Sequence, residues 1–214
     1  MDKVAGRQRK AQLGQFFTPT AIAEFMAELF TQGPADDCLL LDAGAGNGSL
    51  SEAFLKRCTS GGLQFQQVEV DAFEIDDILH SSLAQTLAAY QQHSVTSTIH
   101  SDDFVHAAAD WLSGHLFAKA LPQYTHAILN PPYKKIRSNS AHRLALRRAG
   151  IETVNLYSAF VALSLALLRD RGQLVAIIPR SFCNGPYYRP FREFVLNQAA
   201  IRHLHLFESR SKAF

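Results

Sequence analysis

Short apolar runs alternate with helical patterns along most of the chain, and this alternation constrains the fold more than any other feature. The runs predicted as strands are CLLLDAG (38–44), QQVEVDAFEID (66–76), VTSTIHSDDF (95–104), THAILNPPY (125–133), GQLVAIIP (172–179) and IRHLHLF (201–207). Segments with apolar residues at helical spacing lie between most of them. Strands joined by helical crossovers form parallel sheets covered on both faces. We therefore predict an α/β fold with a doubly wound, mostly parallel sheet.

Composition supports one substantial core and excludes several classes of protein. The chain has 214 residues, of which 47% are hydrophobic and 19% charged, so one α/β domain is expected rather than a disordered tail. The net charge is only +2, so any nucleic-acid binding must be local. No apolar run approaches the roughly 20 residues that cross a bilayer, and the three cysteines lack CxxC spacing. We expect no membrane partner, no metal site, reduced thiols and a cytoplasmic location.

Glycines and acids lie where the predicted strands end. DAGAGNG (42–48) closes the first strand, and its alternating glycines let the backbone approach a ligand, although a glycine turn can also be purely structural. Glu74 ends the second strand, where a carboxylate can accept both ribose hydroxyls. Asp103 and Phe104 end the third, where an acid can accept an adenine amine and a ring can stack on the base. Each acid alone has an alternative interpretation as a helix cap, but at one sheet edge they predict a nucleoside cleft.

The fourth predicted strand runs directly into Asn130-Pro131-Pro132-Tyr133. The prolines cannot donate ladder hydrogen bonds and fix the backbone, so the chain leaves the sheet rigidly. The side-chain carbonyl of Asn130 and the carbonyl of Pro131 then present two acceptors, which suits a substrate NH2 group. Binding both hydrogens favours a pyramidal nitrogen whose lone pair can attack a methyl sulfonium, and Tyr133 offers a face for the base. A proline turn that ends an edge strand is the structural alternative.

Ahead of these strands, TPTAIAEFMAELF predicts an amphipathic helix that Thr18 caps and Pro19 begins. Taken together, the motifs resemble those of S-adenosylmethionine-dependent DNA adenine-N6 methyltransferases, in the class of modification enzymes similar to the Eco57I and TaqI methylases. The resemblance runs from about Gly14 to the C-terminus. It implies a Rossmann-like class I methyltransferase fold without its final strand, S-adenosylmethionine as cofactor and the adenine amine of DNA as methyl acceptor.

The resemblance also implies a role for each matching residue. It places Thr18 and Pro19, in GQFFTPTAIAEFM, beside the methionine moiety of the cofactor. The other implied cofactor contacts are Asp42, Gly44, Gly46, Glu74, Asp103, Phe104 and Phe160. The motif implied to be catalytic consists of Asn130, Pro131, Pro132 and Tyr133.

The substrate side of the site is predicted from aromatic and basic residues. Tyr188 is the candidate for a second aromatic wall against the flipped base, with Tyr187 and Phe182 as alternatives. Basic residues after the catalytic motif predict a mobile segment that touches phosphates as the base is extracted, although a solvated loop is the alternative. They are Lys134, Lys135, Arg137, His142, Arg143, Arg147 and Arg148.

For domain organisation, we expect a flexible arm at residues 1–13, a catalytic domain at 14–214, and a target-recognition domain absent from this chain. DNA is the implied partner, with a restriction nuclease or a specificity subunit as a further one. Two other functions stay open. A protein glutamine-N5 methyltransferase uses the same motif on an amide NH2, but only about a dozen residues precede GQFFTP, where a helical domain is expected. A non-catalytic nucleic-acid-binding subunit has no need of both intact motifs.

Overall fold

The computed structural model describes residues 17–208, so the predicted arm and Gly14 lie outside the described residues. Within that range, five strands form one sheet in the order β3-β2-β1-β4-β5, and all neighbours are parallel. The strands are β1 (Asp37–Ala43), β2 (Gln67–Phe73), β3 (Val95–His100), β4 (Tyr124–Leu129) and β5 (Leu168–Ala176). The predicted doubly wound α/β fold is confirmed.

Helices cover both faces of this sheet. They are α1 (Thr20–Glu28), α2 (Ser49–Thr59), α3 (Asp77–Ala88), α4 (Phe104–Leu112), α5 (Ala141–Arg148), α6 (Leu156–Leu167) and α7 (Arg189–Gln198). Short 3-10 turns lie at Gln91–His93, Arg180–Cys183 and Pro186–Tyr188. Helices α1 to α3 bury their apolar sides against one face, and α4 to α7 bury theirs against the other. Within the part of the chain that the structure describes, no helix has the length and apolar character needed to span a membrane.

The position of β1 at the centre of the sheet explains the apolar run at residues 38–41 in its sequence. Leu40 points into the core beneath α1 to α3, and Leu41 points into the core beneath α4 to α6. Both side chains are fully buried. A strand covered on both faces needs apolar residues at every position, because successive side chains alternate between the faces.

Strand order reverses between β1 and β4, and this reversal positions the site. The chain goes outward from β1 through β2 to β3, then returns to the other side of β1 as β4. The loops after β1 and β4 therefore diverge and leave a crevice at their carboxyl ends, which is where ligands bind in open α/β sheets.

The first helix begins differently from the prediction. Helix α1 begins at Thr20 with Pro19 in the N-cap position and no side-chain capping bond. The predicted cap by Thr18 is therefore wrong. The Thr18 hydroxyl instead accepts a hydrogen bond from the side-chain Nδ2 of Asn130, at 3.0 Å.

The predicted last strand, IRHLHLF, is also wrong, because these residues pair with no strand of the described chain. The segment lies along α1, where Phe25 packs against the rings of His205 at 4.9 Å and Phe207 at 6.5 Å. The two leucines of the segment, Leu204 and Leu206, are exposed. Its alternating pattern therefore reflects packing on a helix surface rather than on a sheet.

The basic residues after the catalytic motif do not all lie in a mobile segment, because Ala141–Arg148 form helix α5. The Ser140 hydroxyl caps this helix. Its basic side chains pair with acids of neighbouring elements: His142 with Asp103, Arg143 with Glu152, and Arg148 with Asp110. Solvent-facing charge and paired charge look alike in sequence, which is why the helix was not predicted. Lys134, Lys135 and Arg137 precede it and are exposed.

Candidate functional site

A cleft lies at the carboxyl edge of the sheet, between the loops that follow β1 and β4. Most residues predicted to bind the cofactor line it: Gly44, Gly46, Glu74, Asp103, Phe104 and Phe160. Asn130 and Pro132 of the predicted catalytic motif line the same cleft. The fold thus brings residues from five separate segments of the sequence to one place.

The glycine loop after β1 is held by an acid at the end of β2. Gly46 has a left-handed backbone with φ of 60°, and its N–H donates to Glu74 Oε2 at 2.8 Å. The other carboxylate oxygen of Glu74 accepts from the N–H of Asp76 at 2.7 Å. Burial raises the pKa of Glu74, and the two N–H groups oppose that rise. The carboxylate is therefore fixed in orientation at the cleft wall.

Asp42 lies behind the glycine loop rather than in the cleft wall. Its side chain is fully buried, and Oδ2 accepts from the Ser51 hydroxyl at 2.6 Å. Oδ1 has no hydrogen-bond partner among the described residues. Burial raises the pKa of Asp42 to about 7, and the charge of Glu74 adds a smaller effect in the same direction. Any part that Asp42 plays in ligand binding therefore passes through the loop.

Asp103 lines the cleft as the N-cap residue of α4. Oδ1 caps the helix by accepting from the His106 N–H at 3.1 Å, and Oδ2 accepts from His142 Nε2 at 2.8 Å. Burial acts to raise the pKa of Asp103, but the bond and charge of His142 outweigh it and lower that pKa. The same bond raises the pKa of His142. Next to it, the buried Phe104 ring packs on Phe160 with centroids 5.2 Å apart.

Contacts at both ends of the side-chain amide orient Asn130. Nδ2 donates to Thr18 Oγ1 at 3.0 Å. The Tyr133 hydroxyl lies 3.2 Å from Asn130 Oδ1 and 3.1 Å from the carbonyl oxygen of Ile177, so it can donate to either. This arrangement turns the amide carbonyl of Asn130 away from Thr18 and joins the segment before α1 to the loop after β4.

A row of tyrosines runs from the catalytic motif towards α7. The rings of Tyr133 and Tyr157 meet edge to face at 6.3 Å, and those of Tyr157 and Tyr188 are stacked at 6.0 Å. Among the alternatives to Tyr188, Phe182 packs into the core under α7, and Tyr187 is 78% exposed. Tyr188 is the one of the three that shares a ring neighbour with Tyr133.

Four lining residues were not predicted: Phe17, Phe73, Ile75 and Asp102. Ile75 is 52% exposed and directly follows the strand-end acid Glu74, so an apolar residue placed after such an acid was the available signal. The ring of Phe17 lies against Gly46, since a Cβ built there would be 3.7 Å from the ring. Both residues add apolar wall to a cleft whose charged groups are acids.

The exposed basic residues after Tyr133 lie outside the cleft lining. The backbone around them pairs with the chain at the start of α6. Ile136 N–H donates to the Val154 carbonyl, and Leu156 N–H donates to the Lys134 carbonyl, both at 2.8 Å. Lys134, Lys135 and Arg137 therefore lie on the surface, close in sequence to the cleft residue Pro132 but outside the cleft lining.

A second depression lies at the amino edge of the sheet, with His126, Arg169 and Gln173 in its wall. Burial lowers the pKa of His126 to about 4, and the charge of Arg169 adds to this effect. This depression contains neither the glycine loop nor the strand-end acids, so the chemistry suggested by the sequence belongs to the cleft at the carboxyl edge.

Comparison with known proteins defines the class. The fold is similar to that of a Listeria monocytogenes protein described as a class I S-adenosylmethionine-dependent methyltransferase, with a TM-score of 0.64. The two are 16% identical over 86% of this chain and 53% of the other. The structure thus has the Rossmann-like class I methyltransferase fold. More specifically, the chain belongs to the Eco57I restriction-modification methylase family, whose model matches residues 50–214.

Two curated relatives are similar along nearly the whole chain. Type II methyltransferase M.BsuBI of Bacillus subtilis is 53% identical over 97% of this chain and 42% of its own length. Type II methyltransferase M.PstI of Providencia stuartii is 39% identical over 96% of this chain and 40% of its own length. The chain thus spans about two fifths of the length of these relatives. The family resemblance predicted from the motifs is confirmed.

Proposed function

We propose that this chain carries the S-adenosylmethionine-binding and catalytic part of a DNA adenine-N6 methyltransferase, the modification activity of a restriction-modification system. The observation that carries the proposal is the amide of Asn130. It is held between Thr18 and Tyr133 at the edge of a cleft that also contains Glu74 and Asp103.

The charge of the cleft fits this cofactor better than a dinucleotide. None of the side chains that line the cleft within residues 17–208 is basic, and three of them are acids: Glu74, Asp102 and Asp103. A pyrophosphate would meet these acids without a cationic partner, whereas S-adenosylmethionine has no phosphate and supplies, when bound, a methyl group on a cationic sulfonium. In the proposed complex Glu74 accepts the ribose hydroxyls and Asp103 accepts the adenine amine, with Phe104 and Phe160 beside the base.

The residues after β4 then act on the substrate amine. Asn130 Oδ1 and the carbonyl of Pro131 accept its two hydrogens, which favours a pyramidal nitrogen with an available lone pair. The nitrogen–carbon bond forms as the sulfur–carbon bond breaks, and the amine loses one proton to solvent. Tyr133 stacks on the extruded base, and Tyr188 forms the second wall. No covalent enzyme intermediate is needed, because an exocyclic amine attacks directly.

DNA is the proposed macromolecular partner, and the cytoplasm is the proposed location. Lys134, Lys135 and Arg137 are exposed and directly follow the catalytic motif, so they can neutralise phosphates around the flipped base. The family is described as one of restriction-modification methylases, which supports a restriction nuclease or a specificity subunit as a further partner.

Methyl transfer with labelled S-adenosylmethionine tests the proposal. The protein is offered duplex DNA and, separately, a protein with accessible glutamines, and label is counted in each. We expect label in DNA and loss of that label in Asn130→Ala. The cofactor affinity of this variant should stay within about threefold of the parent, a change of about 0.6 kcal/mol in binding free energy. Asn197→Ala, at an exposed position of α7, is the matched control and should retain activity. Label in glutamine rather than DNA would favour the protein methyltransferase instead.

A further inference from the structure

Three side chains with metal-ligating atoms converge at the Asp103 end of the cleft. Asp103, His106 and His142 each offer one ligand atom, and these atoms all lie within 4.8 Å of one another. All three residues are half-buried, so they are held by the fold and still reachable from solvent. Asp103 and His106 are three residues apart at the start of α4, which places them on one side of the helix. His142 comes from the first turn of α5.

The cluster is close to the size that a zinc ion needs. Tetrahedral zinc has bonds of about 2.0 to 2.2 Å to nitrogen and oxygen, which puts neighbouring ligand atoms about 3.3 Å apart. His142 Nε2 and Asp103 Oδ2 are already 2.8 Å apart. The rings of His106 and His142 have centroids 4.8 Å apart and are tilted by 36°. A side-chain rotation that moves the His106 nitrogen by about 1.5 Å would bring the three ligand atoms to this spacing.

The donor set selects the class of ion. Two imidazoles and one carboxylate suit zinc, nickel and cobalt, whereas magnesium prefers oxygen ligands alone. Three protein ligands leave one position of a tetrahedron open to water. Because metal would replace the proton shared between His142 and Asp103, binding releases a proton.

We propose that Asp103, His106 and His142 form a binding site for one divalent transition-metal ion of the zinc class. The ion takes the carboxylate oxygen of Asp103 that otherwise accepts from His142. It therefore competes with any ligand that uses this oxygen. That competition, unlike the metal site itself, rests on the proposed function, in which Asp103 accepts the adenine amine of the cofactor.

Calorimetric titration of the protein with Zn²⁺ is the test. We expect one site whose affinity falls at least about tenfold in His106→Asn and in His142→Asn, because each substitution removes one of three ligands. His115→Asn, at an exposed position after α4, is the matched control and should bind Zn²⁺ like the parent. Mg²⁺ should not bind the site. Equal Zn²⁺ affinity in the parent, His106→Asn and His142→Asn would overturn the proposal.

A spectroscopic measurement distinguishes metal binding at the proposed site from binding at a cysteine, and thermal unfolding shows whether a variant is still folded. With Co²⁺, the site should give a visible spectrum without thiolate charge-transfer bands, and His106→Asn should abolish that spectrum while its thermal unfolding matches the parent. Thiolate bands would assign the ion to an exposed cysteine such as Cys183 and would also overturn the proposal.

Adding S-adenosylmethionine separates this proposal from the proposed function. We expect it to weaken Zn²⁺ binding in the parent, and we expect His106→Asn to keep the cofactor affinity of the parent. If Zn²⁺ binds as described and the cofactor does not compete, the metal site stands and the assignment of Asp103 to the adenine amine fails. If the cofactor binds and Zn²⁺ does not, the metal site fails alone.

Discussion

Replacing Asp42 with asparagine should change how the stability of the protein depends on pH. Asp42 is fully buried behind the glycine loop, and burial raises its pKa to about 7 from an ordinary value of 3.8. Since the pKa in the folded state is above that in the unfolded chain, the folded protein holds this proton more tightly. The resulting stabilisation is complete below about pH 4 and is lost as the pH rises to about 7.

The structure gives the size of this effect. The pKa difference between the folded and unfolded chain is about three pH units, and each unit corresponds to about 1.4 kcal/mol, so the total is about 4 kcal/mol. Asparagine keeps the size of the side chain and an oxygen that can accept from Ser51, but it cannot ionise. Asp42→Asn should therefore be more stable than the parent at pH 8, by up to about 4 kcal/mol, and the advantage should shrink towards pH 4.

Urea unfolding at a series of pH values measures this difference through the fluorescence of Trp111, the single tryptophan of the chain. His126, whose lowered pKa removes stability as the pH falls through the acid range, is present in both proteins and cancels in the comparison. Asp37→Asn, at an exposed position that begins β1, is the matched control and should parallel the parent. If Asp42→Asn also parallels the parent from acid to alkaline pH, the buried carboxyl does not behave as argued.

Three further substitutions test the cleft and the glycine loop beside it. Glu74→Gln should weaken S-adenosylmethionine binding at least about tenfold, because a charge-assisted hydrogen bond contributes about 1.5 to 3 kcal/mol; calorimetry with NAD as the comparison ligand measures this, and tighter NAD binding would contradict the cofactor assignment. Tyr133→Ala should weaken capture of the extruded base by about 1 to 3 kcal/mol in steady-state kinetics with DNA, and an unchanged KM would show that its ring does not hold the base. Gly48→Ala should lower the free energy of unfolding by about 1 to 3 kcal/mol, because φ is 86° there and a Cβ would lie 2.9 Å from Leu83 Cδ1; equal stability in urea would refute this.

The sequence predicts the sheet well because each strand carries its own signal. The run CLLLDAG is apolar at every position except Asp42, and a central parallel strand needs such residues on both faces. Period-two patterns are less specific, since IRHLHLF alternates but packs on Phe25 of α1. Helix α5 was missed because its charges suggested a mobile segment that touches phosphates, although four of its basic side chains pair with acids.

The site is predictable as a set of strand ends but not as a set of contacts. Gly46, Glu74 and Asn130 were found because each follows an apolar run, and parallel strands bring their carboxyl ends to one edge. The bond between Thr18 and Asn130 joins residues 112 positions apart, and no local pattern encodes it. The burial of Asp42 behind its own loop depends in the same way on how α2 packs over β1.

In the proposed mechanism, the oriented amide of Asn130 holds the exocyclic amine of adenine so that the amine takes the methyl group from S-adenosylmethionine. The most direct measurement is mass spectrometry of the nucleosides released from duplex DNA after incubation with the protein and S-adenosylmethionine carrying a labelled methyl group. We expect the label in N6-methyladenine deoxynucleoside, and we expect Asn130→Ala to yield none while Asn197→Ala yields the parental amount. Label in a methylated cytosine, or undiminished N6-methyladenine from Asn130→Ala, would contradict it.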